Sequence, residues 1–337
     1  MIVLGIETTC DETGAALVLN GKRVLSNVVA SSSDIHERYG GVFPELACRR
    51  HIDVIIPVIQ EALRQAEVSA SEIDAIAVAK GPGLVGALLI GMNAAKGLSI
   101  AWEKPLIGVN HVEAHLYAAM MEAPEPWLFP ALGLVLSGGH TLMLQMNQVG
   151  HYTCLGTTVD DAIGEAFDKV AALLGLPYPG GPHVERLALA GQLNYSFHAG
   201  KVKKNPLDFS FSGLKTNVLY AVKGQNGVGN PPLSPAQKAD VAASFQETAL
   251  RDILTKATLA IQKFPCKAIY LGGGVCNNQR LKALFAEKFP QMPIFWPPAA
   301  LTMDNAAMIA GLGFHKFLQN PSGDPLDLEV QTRIPIA

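Results

Sequence analysis

Short apolar runs and amphipathic stretches follow one another in the same order in both halves of this chain. Residues 2–6, 14–19 and 23–29 read as three strands. Residues 44–67 have helical apolar spacing at Leu46, Ile52, Ile55, Ile59 and Leu63, and 73–79, 84–102 and 106–109 continue as strand, helix and strand. A helical segment at 116–121 closes the first half. The Pro-rich break Ala123-Pro124-Glu125-Pro126 follows, and the order begins again. Residues 131–136, 141–146 and 152–156 read as a three-stranded meander, and 161–174 and 237–264 as helices. Then 268–271, 278–289, 293–295 and 304–318 read as strand, helix, strand and helix. The residues themselves do not repeat. A matched order without matched sequence predicts a duplicated α/β fold. The expected lobes are 1–125 and 126–337, the second with an insertion at about 191–235 and a last segment free to pack back on the first.

Composition agrees with such a fold and narrows the classes. The chain has 337 residues, 49% hydrophobic and 16% charged, enough for two cores and too apolar for disorder. Segment 84–102 is long and apolar, but Asn93 and Lys96 interrupt it and small residues recur at Gly86, Ala87, Gly91, Ala94, Ala95 and Gly97. That pattern predicts a packed helix rather than a membrane span. Five scattered cysteines (Cys10, Cys48, Cys154, Cys266 and Cys276) have no CxxC spacing, and the start runs directly into a strand with no basic, apolar leader. Both point to a reducing, cytoplasmic setting. A net charge of −3 gives no overall basic field. Local clusters, Lys201, Lys203 and Lys204 or Arg49 and Arg50, are candidate contacts to nucleic-acid phosphates, with a plain solvated basic face as the alternative.

The chemistry concentrates in polar loops that follow strands. Glu7-Thr8-Thr9-Cys10-Asp11-Glu12-Thr13 is too rich in hydroxyls and carboxylates for a mere connection, and Thr8 and Thr9 make it a candidate phosphate loop. Ser137-Gly138-Gly139-His140-Thr141 lies between two apolar strands, and Gly272-Gly273-Gly274-Val275-Cys276-Asn277-Asn278 joins a strand to a helix. Glycines let backbone N–H groups approach an anion, and a helix amino terminus adds favourable partial charge. Alone, the second loop is explained by a hairpin turn and the third by a connection capped by Asn277. Three such loops in corresponding places favour a nucleotide cleft between the lobes. The third is not GxGxxG, so a dinucleotide fold is not indicated. Asp161, Glu165 and Asp168 stand at helical spacing, either a solvated acidic face or an edge that meets a ribose or a cation. Pro179-Gly180-Gly181-Pro182 is expected as a tight turn, and 208–216 as an edge strand of the insertion.

His111-Val112-Glu113-Ala114-His115 opens a helical segment, so its two imidazoles stand one turn apart on one face and can reach one metal ion. In the zinc-protease motif the glutamate directly follows the first histidine. Glu113 comes one residue later, rotated by about 100° and off that base position. Asp304, ahead of the last helix, is open to two readings: an N-cap, or the third ligand of a two-His-one-carboxylate site.

Taken together, the motifs at 5–13, 40–47, 81–84, 111–115, 137–141, 164–169, 178–182, 209–216, 272–278 and 302–309 resemble the bacterial TsaD family of the Kae/Qri group. They run in order from residue 2 to about 315. The resemblance implies two RNase H-like lobes of the actin, Hsp70 and sugar-kinase class, around a nucleotide and metal cleft. It implies transfer of a threonylcarbamoyl group from threonylcarbamoyl-AMP to N6 of the adenosine adjacent to the anticodon, in tRNAs reading ANN codons. One divalent metal per subunit, Fe2+ ahead of Zn2+, would sit on His111, His115 and Asp304. Leu136, Ser137, Gly138, Gly139, His140, Asp168, Gly181, Glu185 and Asn278 would line the adenylate site. A TsaB-like paralogue and a TsaE-like ATPase would be partners, with no membrane. Departures are small: Thr8-Thr9 for Thr-Ser, Cys276-Asn277 for Ser-Ala, Met303 for Thr. None removes a proposed ligand.

Such a reaction needs no covalent nucleophile, because the adenine amine attacks an activated anhydride directly. Asp11, Glu12 and His140 are candidates for the base, without discrimination. A metalloprotease would want a glutamate beside His111 and leaves three loops without a role. A non-catalytic nucleotide-binding subunit would not need His111, His115 and Asp304 together.

Overall fold

In the computed structural model, the residues described are 1–31, 44–224 and 231–334, without the side chains of 44, 46 and 47. They form two compact units, Met1–Trp127 with Pro297–Ala337, and Leu128–Trp296. In the first unit β1 (Ile2–Glu7), β2 (Glu12–Leu19) and β3 (Arg23–Ser31) make an antiparallel meander. β4 (Ala75–Gly81) and β5 (Leu106–Asn110) extend it in parallel from β1, giving the order β3-β2-β1-β4-β5. The second unit repeats the plan. β6 (Ala131–Leu136), β7 (Thr141–Gln148) and β8 (His151–Thr157) form the meander, and β9 (Ile269–Gly272) and β10 (Ile294–Phe295) add in parallel, in the order β10-β9-β6-β7-β8. Three antiparallel strands followed by two parallel ones is the RNase H-like order, present twice.

Nine helices are described: α1 (Pro44–Ala66), α2 (Val85–Trp102), α3 (His111–Met121), α4 (Ile163–Leu174), α5 (Gly180–Ala188), α6 (Ser212–Lys223), α7 (Pro235–Lys263), α8 (Gln279–Lys288) and α9 (Ala306–Gln319). Helices cover both faces of the central strands, so β1, β4 and β5 are buried almost throughout and appear in the sequence as unbroken apolar runs. Along β1 the side chains alternate. Leu4 and Ile6 enter a core with Ile55, Ile59 and Met92 of α1 and α2, each fully buried aliphatic side chain being worth about 1.5–3 kcal/mol. Val3 and Gly5 lie on the other face, under α9. A Cβ on Gly5 would collide with the carbonyl oxygen of Ala306 and stand 2.7 Å from the Ala310 nitrogen, so only glycine lets α9 approach this closely.

That contact explains why the segment from Pro297 on belongs to the first unit. Further along, the Asp324 N–H donates to the Leu106 carbonyl at 2.7 Å on the β5 edge, and the Gln331 N–H donates to the Lys80 carbonyl at 2.8 Å. α2 is the one helix among the described residues long and apolar enough to cross a membrane, with 33% of that window buried. Its buried positions include Ala87, Leu88, Gly91, Met92 and Ala95, one face of the helix.

Two elements differ from expectation. The tight turn expected at 179–182 is the start of α5, whose Gly180 N–H donates to Asp168 Oδ1 at 2.7 Å. The edge strand expected at 208–216 is a single bridge between Phe209 and Thr158, after which α6 begins. Asp160 replaces a local cap there. It accepts from the Phe211 and Ser212 N–H groups at 2.8 and 3.2 Å and from the Ser210 and Ser212 hydroxyls at 2.6 and 2.7 Å. The motif at 40–47 lies outside the described residues up to 43 and enters α1 at 44.

Candidate functional site

β5 runs directly into α3. Asn110 caps that helix by accepting from the Val112 and Glu113 N–H groups at 2.9 and 3.3 Å, which sets His111 in the first turn and His115 one turn on. Every residue of α3 is buried, so both imidazoles are held by packing, with ring centroids 4.7 Å apart. Asp304 meets them from the segment before α9. Its expected role as a cap is taken by Asn305, whose side chain accepts from the Met308 N–H at 3.1 Å. The Asp304 carboxylate is turned towards the histidines instead, with Oδ1 at 3.5 Å from His111 Nε2 and 3.1 Å from His115 Nε2.

One ligand atom from each of the three residues lies within 4.8 Å of the others. Donors about 2.0–2.1 Å from a shared tetrahedral ion stand about 3.3 Å apart, close to the 3.5 and 3.1 Å between Asp304 and the two imidazoles. His115 is 1% exposed, and neither of its ring nitrogens has a hydrogen-bond partner among the described residues, despite the nearness of Asp304. A buried imidazole with both nitrogens unsatisfied is costly unless something else takes a lone pair. The group can hold a metal ion, and three protein ligands leave coordination positions open.

The loop at 7–13 surrounds this group. Glu7 Oε2 lies 2.8 Å from His111 Nδ1, and the Thr9 N–H donates to Glu7 Oε1 at 2.6 Å. Burial pulls the His111 imidazole down, but the charges of Glu7 and Asp304 outweigh it and hold its pKa at about 9. Glu12 is pushed up to about 10 by burial and by its neighbours Asp11 and Asp304. The Cys10 thiol is raised by burial and the same acids. Of the candidate bases, Asp11 and Glu12 are therefore in this surrounding, and His140 is in the other unit. Thr8 and Thr9 are buried, Thr8 against Gly91 of α2 and Thr9 against Glu7 and His111. Glu113 has a partner that the sequence left open, Lys316 of α9 at 3.1 Å.

The residues expected at the adenylate belong to the second unit: Leu136 to His140 and Asn278 follow β6 and β9, at whose carboxyl ends ligands gather in open α/β sheets, and Asp168, Gly181 and Glu185 lie on α4 and α5. Leu136 ends β6. The turn after it closes through Ser137, whose N–H donates to the His140 carbonyl at 2.8 Å while its hydroxyl accepts the His140 N–H at 3.0 Å. The Gly164 N–H at the head of α4 donates to the Ser137 carbonyl at 3.1 Å. Asp168 holds the Gly180 N–H, Glu185 Oε1 accepts the Gln279 N–H at 2.7 Å, and these bonds tie α4, α5 and α8 around Gly181. A Cβ on Gly138, Gly139 or Gly181 would meet nothing within 4 Å, so their backbone borders open space. In the third loop the cap is Asn278, not Asn277: Asn278 Oδ1 accepts the Leu281 N–H at 3.0 Å and Nδ2 donates to Gln246 at 2.8 Å. Gly273, at φ +96°, lets that loop pass against the Leu136 backbone. Lys201, Lys203 and Lys204 are exposed, as are Arg49 and Arg50, Arg49 being paired with Glu45 at 2.9 Å.

Sequence reasoning missed Glu7 and Gln246. Glu7 was noted only as part of a polar loop; a sharper signal was its register, since two residues from Gly5 in a buried strand it must point to the same covered face.

Comparison with known proteins identifies the family. The family described as TsaD, tRNA N6-adenosine threonylcarbamoyltransferase, matches residues 23–311. The chain is 57% identical over 339 residues to the tRNA N6-adenosine threonylcarbamoyltransferase of Protochlamydia amoebophila (strain UWE25), covering 100% of this chain and 98% of that protein. Among solved structures, full-length HypF in its phosphate- and nucleotide-bound form aligns with a TM-score of 0.61 at 14% identity, over 96% of this chain and 47% of that one. The ROK hexokinase of Thermus thermophilus aligns with a TM-score of 0.52 at 17% identity, over 96% and 100%. Those two bear on the fold alone. The chain belongs to the TsaD family and is a transferase that makes threonylcarbamoyladenosine in tRNA.

Proposed function

We propose that the donor is threonylcarbamoyl-AMP, that the acceptor is N6 of the adenosine adjacent to the anticodon in tRNAs reading ANN codons, and that a divalent ion, Fe2+ ahead of Zn2+, is held by His111, His115 and Asp304. The convergence of three buried or half-buried donors, with His115 otherwise unsatisfied, is the observation that carries the metal assignment. Such an ion supplies Lewis acidity, by which the negative charge of a phosphate leaving group is stabilised.

The chain's own residues account for the rest. The backbone at Gly138 and Gly139 borders open space and suits a phosphate or a developing oxyanion. Asp168 and Glu185 each accept a backbone N–H with one carboxylate oxygen, which fixes how both side chains are turned. Gly181 leaves room beside them. The adenosine amine attacks the carbamoyl carbonyl, the C–O bond to phosphate breaks, AMP leaves, and N6 gives up a proton. No bond to the enzyme forms. The base is unassigned among Asp11, Glu12 and His140. Lys201, Lys203 and Lys204, with Arg50, are proposed contacts to tRNA phosphates.

A TsaB-like paralogue and a TsaE-like ATPase are the proposed partners. Exposed apolar pairs one turn apart on two packed helices support a protein partner: Ile52 and Ile56 on α1, Val85 and Leu89 on α2.

One reaction tests the proposal: this protein with such partners, unmodified tRNA, threonine, bicarbonate, ATP and an adenylate-forming enzyme, read by nucleoside mass spectrometry. Wild type is expected to form threonylcarbamoyladenosine and His111→Ala to lose at least about a hundredfold in rate, the scale of one lost charge-stabilising group. Equal product from His111→Ala would remove the metal assignment, and no product from wild type with any such partner set would remove the donor and acceptor.

A further inference from the structure

Glu7 is a buried charged residue to which the reaction above gives no part. It ends β1 and is 0% exposed. Its two oxygens are both engaged, Oε1 by the Thr9 N–H at 2.6 Å and Oε2 by His111 Nδ1 at 2.8 Å. The Thr9 hydroxyl stands 3.3 Å from the same ring nitrogen. A carboxylate is not carried to the end of a buried strand without a partner that fixes it. Here that partner is an imidazole whose other nitrogen, Nε2, lies 3.5 Å from Asp304.

We propose that Glu7 is a positioning residue for the metal group. By accepting from Nδ1–H it holds His111 in the tautomer whose Nε2 lone pair faces the ion, fixes the ring plane, and makes that ligand more basic. The proposal rests on the metal reading of the previous subsection. The Thr9 N–H fixes the rotamer of Glu7 in turn, and the register of β1 brings Glu7 to the same face as Gly5, beneath the start of α9. The histidine pair is therefore asymmetric. His111 is oriented by a hydrogen bond, whereas neither nitrogen of His115 has a hydrogen-bond partner among the described residues and Asp304 stands near it, at 3.1 Å. Removing the charge of Glu7 weakens one ligand and leaves the other as it was.

The test is a Zn2+ titration of the chelator-stripped full-length chain, in competition with a chromophoric chelator, for wild type, Glu7→Gln and His111→Ala. The amide variant keeps the shape of the side chain and loses its charge. Glu7→Gln is expected to bind Zn2+ about tenfold or more weakly than wild type while its far-ultraviolet circular dichroism is retained. If Glu7→Gln binds as tightly as wild type while His111→Ala binds weakly, the role of Glu7 is overturned and the metal site stands. If wild type fails to bind, or His111→Ala binds equally well, the metal site itself is wrong. Should Glu7→Gln not fold, nitrogen-15 NMR of the Zn2+-loaded wild type decides: the His111 Nδ1 is expected to carry a slowly exchanging proton, and a metal-bound or freely exchanging Nδ1 overturns the proposal.

Discussion

Single residues decide how near the chain's elements can come to one another, and Gly5 is the clearest case. Its missing Cβ is what lets Ala306 and Ala310 rest on β1, and the start of α9 carries Asn305 and Asp304. Gly5→Ala is expected to cost about 1–3 kcal/mol in urea unfolding, the usual penalty for overpacking a fitted contact. An unchanged midpoint would mean that α9 does not need this approach. At the same scale, His111, His115 and Asp304 could be proposed from sequence, because two histidines one helical turn apart are a local pattern and the surrounding motifs supplied the aspartate. Glu7 and the Glu113–Lys316 pair could not. Each takes its meaning from a partner on a distant segment, His111 for one and α9 for the other.

Elements were read well where their signal was local and poorly where it was not. The strands of both meanders and the long helix α7, with its Ser234 cap and Pro235 at the start, carry their patterns within themselves. α5 and α6 do not. Their first turns are held by Asp168 and Asp160, each supplied from elsewhere in the chain, so Pro-Gly-Gly-Pro looked like a turn and Phe-Ser-Phe-Ser like a strand. Asp160 gives this a pH dependence. Partial burial disfavours its charge, but the hydroxyls of Ser210 and Ser212 and two backbone N–H groups outweigh that and hold its pKa below the usual carboxylate range. A carboxyl whose pKa is lower folded than unfolded contributes stability above the unfolded value, ~3.9, and loses it as the pH falls through the folded one. Wild type is expected to exceed Asp160→Asn in unfolding free energy at pH 7, and the gap to shrink as the pH is lowered towards ~2. A gap that stays constant over that range would show that the charge of Asp160 is not what holds α6.

For the whole molecule, the repeated order of strands and helices was enough to foresee two sheets of one plan. The order along the chain left open whether the last segment packs back on the first unit, because that depends on a glycine in β1 and on backbone bonds to Leu106 and Lys80. This return of the chain is what brings Asp304 to His111 and His115, so the metal group is assembled from the beginning and the end of one unit. The account's central claim is that the transferase works with an ion in that group. The most direct measurement is the rate of threonylcarbamoyladenosine formation on tRNA by the chelator-stripped protein, before and after one equivalent of Fe2+ or Zn2+ is restored. The account predicts a loss of at least about a hundredfold on stripping, with recovery on addition in wild type and none in Asp304→Ala. Undiminished product from the stripped wild type would contradict it.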